Sequence, residues 1–120
     1  MSYPWKIIKE LESDNSRLFK EGIIEKHIND KDFQEGLAMC LDPLVTFGVK
    51  QVPESDHEGG GLDWNAFKEA VNKLIEREKT GHAARDLIIN LLNLSKKDQW
   101  NDWYRRILIK DLRCGVSQKT

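Results

Sequence analysis

Residues 95–112 read SKKDQWNDWYRRILIKDL and carry a helical pattern with one wide apolar face. When successive residues are advanced by 100°, the large apolar side chains fall within roughly half of the helix circumference. They are Trp100, Trp103, Tyr104, Ile107, Leu108 and Leu112. Ser95 is the expected N-cap, and Asp98 stands three residues later, as the acid of a capping box does. The stretch therefore predicts a long helix whose tryptophans anchor its packing.

Five more helices are predicted upstream by apolar residues at helical spacing, at about residues 4–13, 18–28, 33–45, 64–75 and 82–93. Pro43 is expected to kink or interrupt the third of them. The expected N-caps are Ser13, Asp14 or Asn15 for the second helix, Asn29 or Asp30 for the third, and Asp63 for the fourth. The sequence shows no β-alternation and no internal repeat. It predicts an all-α fold, a compact bundle of about six helices, in a single domain that spans residues 1–120.

Residues 48–62 separate the third and fourth helices and have no helical pattern. They include Pro53, the acidic stretch 54–58 and the triple glycine 59–61. Loops of this length in a compact domain are usually functional or mobile, and the scattered acids favour mobility. The sequence therefore predicts a flexible surface loop.

The charge of the chain is nearly balanced but unevenly distributed. There are 19 Lys and Arg against 20 Asp and Glu, and residues 94–120 contain 7 of the cations and only 3 of the acids. This asymmetry suggests an anionic partner for the basic end, although an ordinary solvated face gives the same count.

No apolar run approaches the ~20 residues of a membrane span, and no secretory signal pattern opens the chain. Two cysteines without ligand spacing favour a reducing, cytoplasmic compartment.

Three cations of the basic end, Arg106, Lys110 and Arg113, fall on one narrow stripe of the last helix. Such a stripe fits contact with phosphate groups, and it equally fits solvation or salt bridges to the acidic part of the chain. The start of the fifth helix, Thr80-Gly81-His82-Ala83, is a second candidate, because the first turn of a helix has free backbone N–H groups. Every helix start has this property, so the pattern alone leaves both candidates open.

A third candidate is Gly115-Val116-Ser117, where Gly115 also reads as the C-cap of the last helix.

Catalytic motifs are absent from the sequence. The three histidines lie in separate segments without metal-ligand spacing, no phosphate-binding P-loop occurs, and no serine or cysteine stands in a nucleophile motif. We therefore expect no catalytic residue and no metal site in this sequence.

Two blocks of the sequence resemble the DNA-binding domain of ATP-dependent DNA ligases. Residues 105–120, RRILIKDLRCGVSQKT, are similar to the end of that domain, where the family shows an L-R-x-G-x-x-x-x-T signature. Residues 74–87, with Thr80-Gly81-His82-Ala83-Ala84 at the centre, are similar to a helix–loop–helix of bacteriophage ligases of the T-even type. The resemblance is clear over residues 62–120.

The resemblance implies a domain that grips the minor groove of nicked duplex DNA through loops, backbone amides and basic residues. The matching positions are Arg113, Gly115, Val116 and Ser117 in one backbone-contacting loop, Gly81, His82 and Ala83 in a second phosphate-facing turn, Arg106 and Lys110 in the helix behind the first loop, and Lys50 beside the third helix. It also implies a longer parent with nucleotidyltransferase and OB-fold domains, which seals nicks in replication, repair and recombination with ATP and a divalent metal such as Mg²⁺.

The catalytic lysine of such ligases lies in a K-x-D-G motif, which these 120 residues lack. We therefore expect this segment to be inactive by itself, to hold no cofactor, to be monomeric and to bind no membrane.

Two other functions also fit the residues. A helical protein-interaction module would dock an acidic partner on the basic stripe, and a helix-turn-helix regulator would prefer one DNA sequence.

Overall fold

The fold is described from a computed structural model that covers residues 3–14, 16–49 and 51–112. These residues form helices and connecting loops without any β-strand, which confirms the all-α prediction. The helices are α1 (Pro4–Glu12), α2 (Arg17–Lys26), α3 (Lys31–Leu41), α4 (Trp64–Ile75), α5 (Gly81–Leu94), α6 (Lys97–Gln99), a π-helical segment (Trp100–Tyr104) and α7 (Arg105–Leu108). No helix in the described ranges has the length and hydrophobicity needed to span a bilayer.

Local sequence signals place most helix starts. Asp30 caps α3 by accepting a hydrogen bond from the N–H of Phe33, and Asp63 caps α4 through the N–H groups that follow it, both as predicted. Helix α3 ends at Leu41, before Pro43, because proline cannot continue the helical hydrogen bonds. The expected cap of α2 was wrong: Ser16 is the N-cap, since its hydroxyl accepts from the N–H of Phe19.

The last helical stretch also begins differently from the prediction. Ser95 is fully buried and its hydroxyl donates to the carbonyl oxygen of Leu91, so it closes α5 instead of capping the next helix. Lys96 is the N-cap residue, and the side chain of Gln99, not that of Asp98, accepts from its N–H. From there α6, the π-helical segment and α7 follow one another without a break, and we call residues 97–108 the C-terminal run.

The C-terminal run lies at the centre of the core and packs against α1 and α3. Its large side chains are almost completely buried, namely Trp100, Trp103, Tyr104, Ile107 and Leu108. Aromatic rings of other helices stack on them: Phe67 lies 4.0 Å from Tyr104, and Phe33 lies 5.7 Å from Trp103, between ring centroids. The tryptophans of this run are therefore packing anchors, as the sequence indicated.

The loop over residues 48–62 is irregular, as predicted, but its described part is attached to the C-terminal run. The indole N–H of Trp100 donates to the carbonyl oxygen of Pro53 at 2.8 Å. Asn101 exchanges two hydrogen bonds with the backbone of Ser55, at 2.7 and 3.0 Å. Val52, Ser55 and Leu62 are buried. These contacts oppose the mobility that the composition of the loop suggests.

Gly36 marks the closest approach of α3 to the C-terminal run. A Cβ atom placed there would lie 2.2 Å from Cζ2 of Trp103, whereas a Cβ atom at Gly22 in α2 would meet nothing within 4 Å. Gly36→Ala should lower the free energy of unfolding by about 1–3 kcal/mol through overpacking. Gly22→Ala should raise it by about 0.5–1 kcal/mol, because alanine favours the helix interior. Urea denaturation measures both, and equal effects of the two substitutions would contradict the packing described.

Candidate nucleic-acid interface

The C-terminal run ends earlier than the sequence pattern predicted. The N–H of Asp111 donates to the carbonyl oxygen of Arg106, and the N–H of Lys110 donates to that of Ile107, a pair of bonds typical of the Schellman motif. Lys110 occupies the left-handed position of this motif with φ of 59°. The helix therefore ends at Leu108, and the expected C-cap, Gly115, lies outside the described residues.

This early end breaks the predicted stripe of cations. Lys110 follows the helix instead of lying on it, and its ammonium group donates to the carbonyl oxygens of Met39, Asp42 and Val45. These oxygens belong to the end of α3 and the turn after it, where helical carbonyls have no partner of their own. Lys110 thus joins the two chain segments as a structural cation. The sequence pattern had left phosphate contact, solvation and salt bridges open for the stripe, and the contacts of the Lys110 ammonium shown here are with backbone carbonyls.

Arg106 is also engaged inside the protein. Its guanidinium forms ion pairs with Glu12 and Asp102, the latter at 3.3 Å, and donates to the carbonyl oxygen of Leu112 at 2.9 Å. Burial raises the pKa of the Asp102 carboxyl, and the nearby charges of Lys9 and Arg106 act in the opposite direction. Arg106 holds the last described residue of the chain. The third cation of the predicted stripe, Arg113, lies outside the described residues.

The second predicted site, at the start of α5, is exposed as expected. Gly81, His82 and Ala83 all face solvent, and Gly81 has φ of 55°, a conformation that favours glycine. Thr80 makes no side-chain cap, so no side chain within the described ranges caps the first turn of α5. The preceding loop is fixed by Arg77, whose guanidinium donates to the carbonyl oxygen and to the hydroxyl of Thr46, at 3.2 and 2.9 Å.

A groove of about 470 Å³ continues from the start of α5 toward the C-terminal run. Arg85 and Arg105 flank an apolar floor in this groove, and its lining consists of Gln51, Val52, Pro53, Arg85, Ile88, Ile89, Arg105 and Ile109. Arg85 forms no ion pair with any described residue. Arg105, in contrast, donates to the carbonyl oxygen of Val52 at 2.8 Å and forms an ion pair with Glu54 at 3.9 Å. The sequence analysis missed both arginines. Arg85 could have been found, since it lies one helical turn after Gly81 and His82.

A second groove, of about 420 Å³, adjoins the first through the shared residue Ile109. It is lined by Thr46, Phe47, Gly48, Val49, Leu108, Ile109 and Lys110. We call the two grooves together the groove face. Lys50 lies outside the described residues, but its neighbours Val49 and Gln51 line one groove each.

The structure thus brings together Arg85 of α5, the residues on either side of Lys50 and the end of the C-terminal run, which are far apart in the sequence. The predicted loop residues Arg113, Gly115, Val116 and Ser117 lie outside the described residues. Within the described ranges, no group of three or more His, Cys, Asp or Glu side chains is placed to hold a metal ion. In the groove face, Arg85 is an exposed cation beside an apolar floor.

Two solved structures are similar to the chain over nearly its whole length. One, named Pmar-Lig_PreS3, is 52% identical with a TM-score of 0.95, and the other, named Pmar-Lig_Pre., is 50% identical with a TM-score of 0.96. Each match covers 99% of this chain but 28% of the solved chain, so this chain spans little more than a quarter of those ligase-related proteins. No family model matches the chain, and no curated protein does.

The ion pairs of Arg106 predict a structural role that can be measured. The side chains of Arg106 and Asp102 are only 12% and 11% exposed, so Arg106→Ala leaves a buried carboxylate without its closest partner. We expect the free energy of unfolding to fall by about 3 kcal/mol. The exposed Arg85 provides the control, because Arg85→Ala should change it by no more than about 0.5 kcal/mol. Urea denaturation of both variants measures their free energies of unfolding. Equal values would contradict the structural role of Arg106.

Proposed function

We propose that the chain is the DNA-binding domain of an ATP-dependent DNA ligase and that it binds nicked or intact duplex DNA without sequence preference. The observation that carries the proposal is the identity of 50–52%, over 99% of this chain, to solved chains with ligase names. The resemblance of residues 62–120 to bacteriophage ligases of the T-even type points in the same direction. The N-terminal position of the domain in its parent is part of the proposal.

The groove face supports this function by its shape and charge. A domain that must hold any nick needs contacts with phosphates and with groove shape, and it does not need to read bases. Arg85 and Arg105 flank an apolar groove, and the free amides of Gly81, His82 and Ala83 lie one turn from Arg85. We assign the phosphate contacts to Arg85, Gly81, His82 and Ala83, together with Lys50, Arg113, Gly115, Val116 and Ser117 from the resemblance. Arg105 is held by Val52 and Glu54 and borders the groove.

The structure changes the assignment of two predicted contact residues. The side chains of Arg106 and Lys110 donate hydrogen bonds to protein atoms. We therefore propose that they position neighbouring backbone segments instead of contacting phosphates directly. Arg106 holds the backbone immediately before Arg113 through the carbonyl oxygen of Leu112. Lys110 holds the turn before residue 46. Both cations thereby shape the surface that the DNA would meet.

Catalysis belongs to other parts of the proposed parent enzyme. The sequence has no K-x-D-G lysine to attack ATP, and no described group of side chains could hold a metal ion. In the parent, ATP and a divalent metal such as Mg²⁺ would serve the covalently linked nucleotidyltransferase and OB-fold domains, which close on the nick. We further propose that the domain is monomeric and acts in the cytoplasm of a prokaryote or an infected host cell.

Binding to DNA should depend strongly on salt. Cations that contact phosphates release counterions, so log K falls with log salt concentration by about 0.9 per contact on duplex DNA. We expect a slope of about −3 to −4 for a nicked duplex, from three to five contacts. Fluorescence anisotropy with nicked duplexes of two unrelated sequences measures it. A flat slope would favour a protein-interaction module, and a strong preference for one sequence would favour a helix-turn-helix regulator.

Arg85 provides a more local test of the groove face. Arg85→Ala should weaken binding to all duplexes alike and reduce the salt slope by about one, as expected for the loss of one phosphate contact. Lys26→Ala is the matched control, since Lys26 is an exposed cation at the end of α2. The same titrations compare the two variants. If Lys26→Ala weakens binding as much as Arg85→Ala does, the assignment to the groove face is wrong.

A further inference from the structure

Leu44 is an apolar side chain that the fold presents to solvent. It lies in the turn after α3 and is 90% exposed, although its neighbours Val45 and Phe47 pack into or against the core. Single exposed leucines are common on protein surfaces and need no explanation by themselves. Leu44 differs because the backbone on both sides of it is held in place.

Four hydrogen bonds fix the turn that carries Leu44. The N–H of Leu44 donates to the Asp42 carboxylate at 2.9 Å, and the N–H of Val45 donates to the Asp42 carbonyl oxygen at 3.1 Å. The ammonium of Lys110 donates to the carbonyl oxygens of both Asp42 and Val45, which flank the exposed residue. Lys110 therefore holds in place a turn whose largest side chain, Leu44, is almost fully exposed.

The turn adjoins the groove face. Lys110, which holds residues on either side of Leu44, lines the second groove together with Thr46. Thr46 follows two residues after Leu44 and is bound by Arg77 of the loop before α5. The surroundings of Leu44 thus contain the cations Lys110 and Arg77. The carboxylate of Asp42 accepts from the N–H of Leu44.

We propose that Leu44 is a wedge that enters the minor groove and presses against the base pairs beside a nick. The proposal rests on the proposed function, because the cations around the turn would bring it to a DNA backbone. Proteins that bind the minor groove often insert an apolar side chain between base steps, which opens the stack and bends the duplex. A nick lacks one backbone link, so stacking at that step is more easily opened. A rigid turn suits this task since little conformational freedom is lost on insertion.

The test uses the 120-residue chain and a nicked duplex that carries 2-aminopurine beside the nick. Emission of 2-aminopurine rises when its stacking is disturbed. Wild-type protein at saturation should raise this emission, whereas Leu44→Ala should remove most of the rise and weaken binding by about tenfold. Leu44→Met should restore both, because methionine is also large and apolar. Leu18→Ala is the matched control, since Leu18 is 80% exposed on α2.

The outcomes separate the wedge from the proposed function. If Leu44→Ala binds the nicked duplex like wild type and still raises the emission, the wedge is wrong while DNA binding stands. If Leu18→Ala lowers the emission as much as Leu44→Ala does, the effect is not specific to the turn and the wedge is wrong. If wild-type protein does not bind the duplex, the proposed function fails and the wedge fails with it. Helical circular dichroism of each variant verifies that the fold is unchanged.

Discussion

Tyr104 makes the interaction on which the other elements depend. Its hydroxyl donates to the carbonyl oxygen of Leu62 at 2.7 Å, while its ring stacks on Phe67 of α4. One residue thereby joins the C-terminal run, the end of the long loop and α4. Burial raises the pKa of the Tyr104 phenol, and the carboxylates of Asp63 and Asp32 act in the same direction, so the group stays a hydrogen-bond donor. Because Tyr104 fixes this part of the C-terminal run, it also fixes the neighbouring Arg105, which lines the first groove of the groove face.

The cations at or near the groove face divide into two groups according to their surroundings. Arg106 and Lys110 lie against acids or backbone carbonyls and hold the chain together. Arg85, from the acidic part of the chain, is exposed in the groove without an ion pair to any described residue. Net charge along the sequence therefore did not separate the cations that are engaged within the protein from those that are exposed. Availability depends on which carboxylates and carbonyls the fold brings near.

In the proposed function, these structural cations would also keep the surface that contacts DNA in a constant geometry. A protein that binds any nick must recognise the shape and charge of the backbone, and its contacting groups must keep a constant geometry from one sequence to another. Arg77 and Lys110 each fix a turn at the border of the groove face, and Arg106 holds the backbone of Leu112. A rigid border keeps the loss of conformational entropy on binding small. This arrangement suits a domain that positions DNA for chemistry carried out elsewhere.

The amino-acid sequence by itself determined the helices, because caps such as Asp30 and Asp63 and the spacing of apolar residues act within a few residues of each other. It also determined that the tryptophans of the C-terminal run are buried. Only the tertiary structure decided that this run passes through a π-helical segment and ends before Lys110, whose backbone is left-handed, so that Lys110 does not lie on one helical stripe with Arg106. Likewise, only packing attached the acidic loop to the core and placed Arg85 beside Arg105. These features depend on partners 20 to 70 residues apart in the chain, and no local pattern encodes such distances.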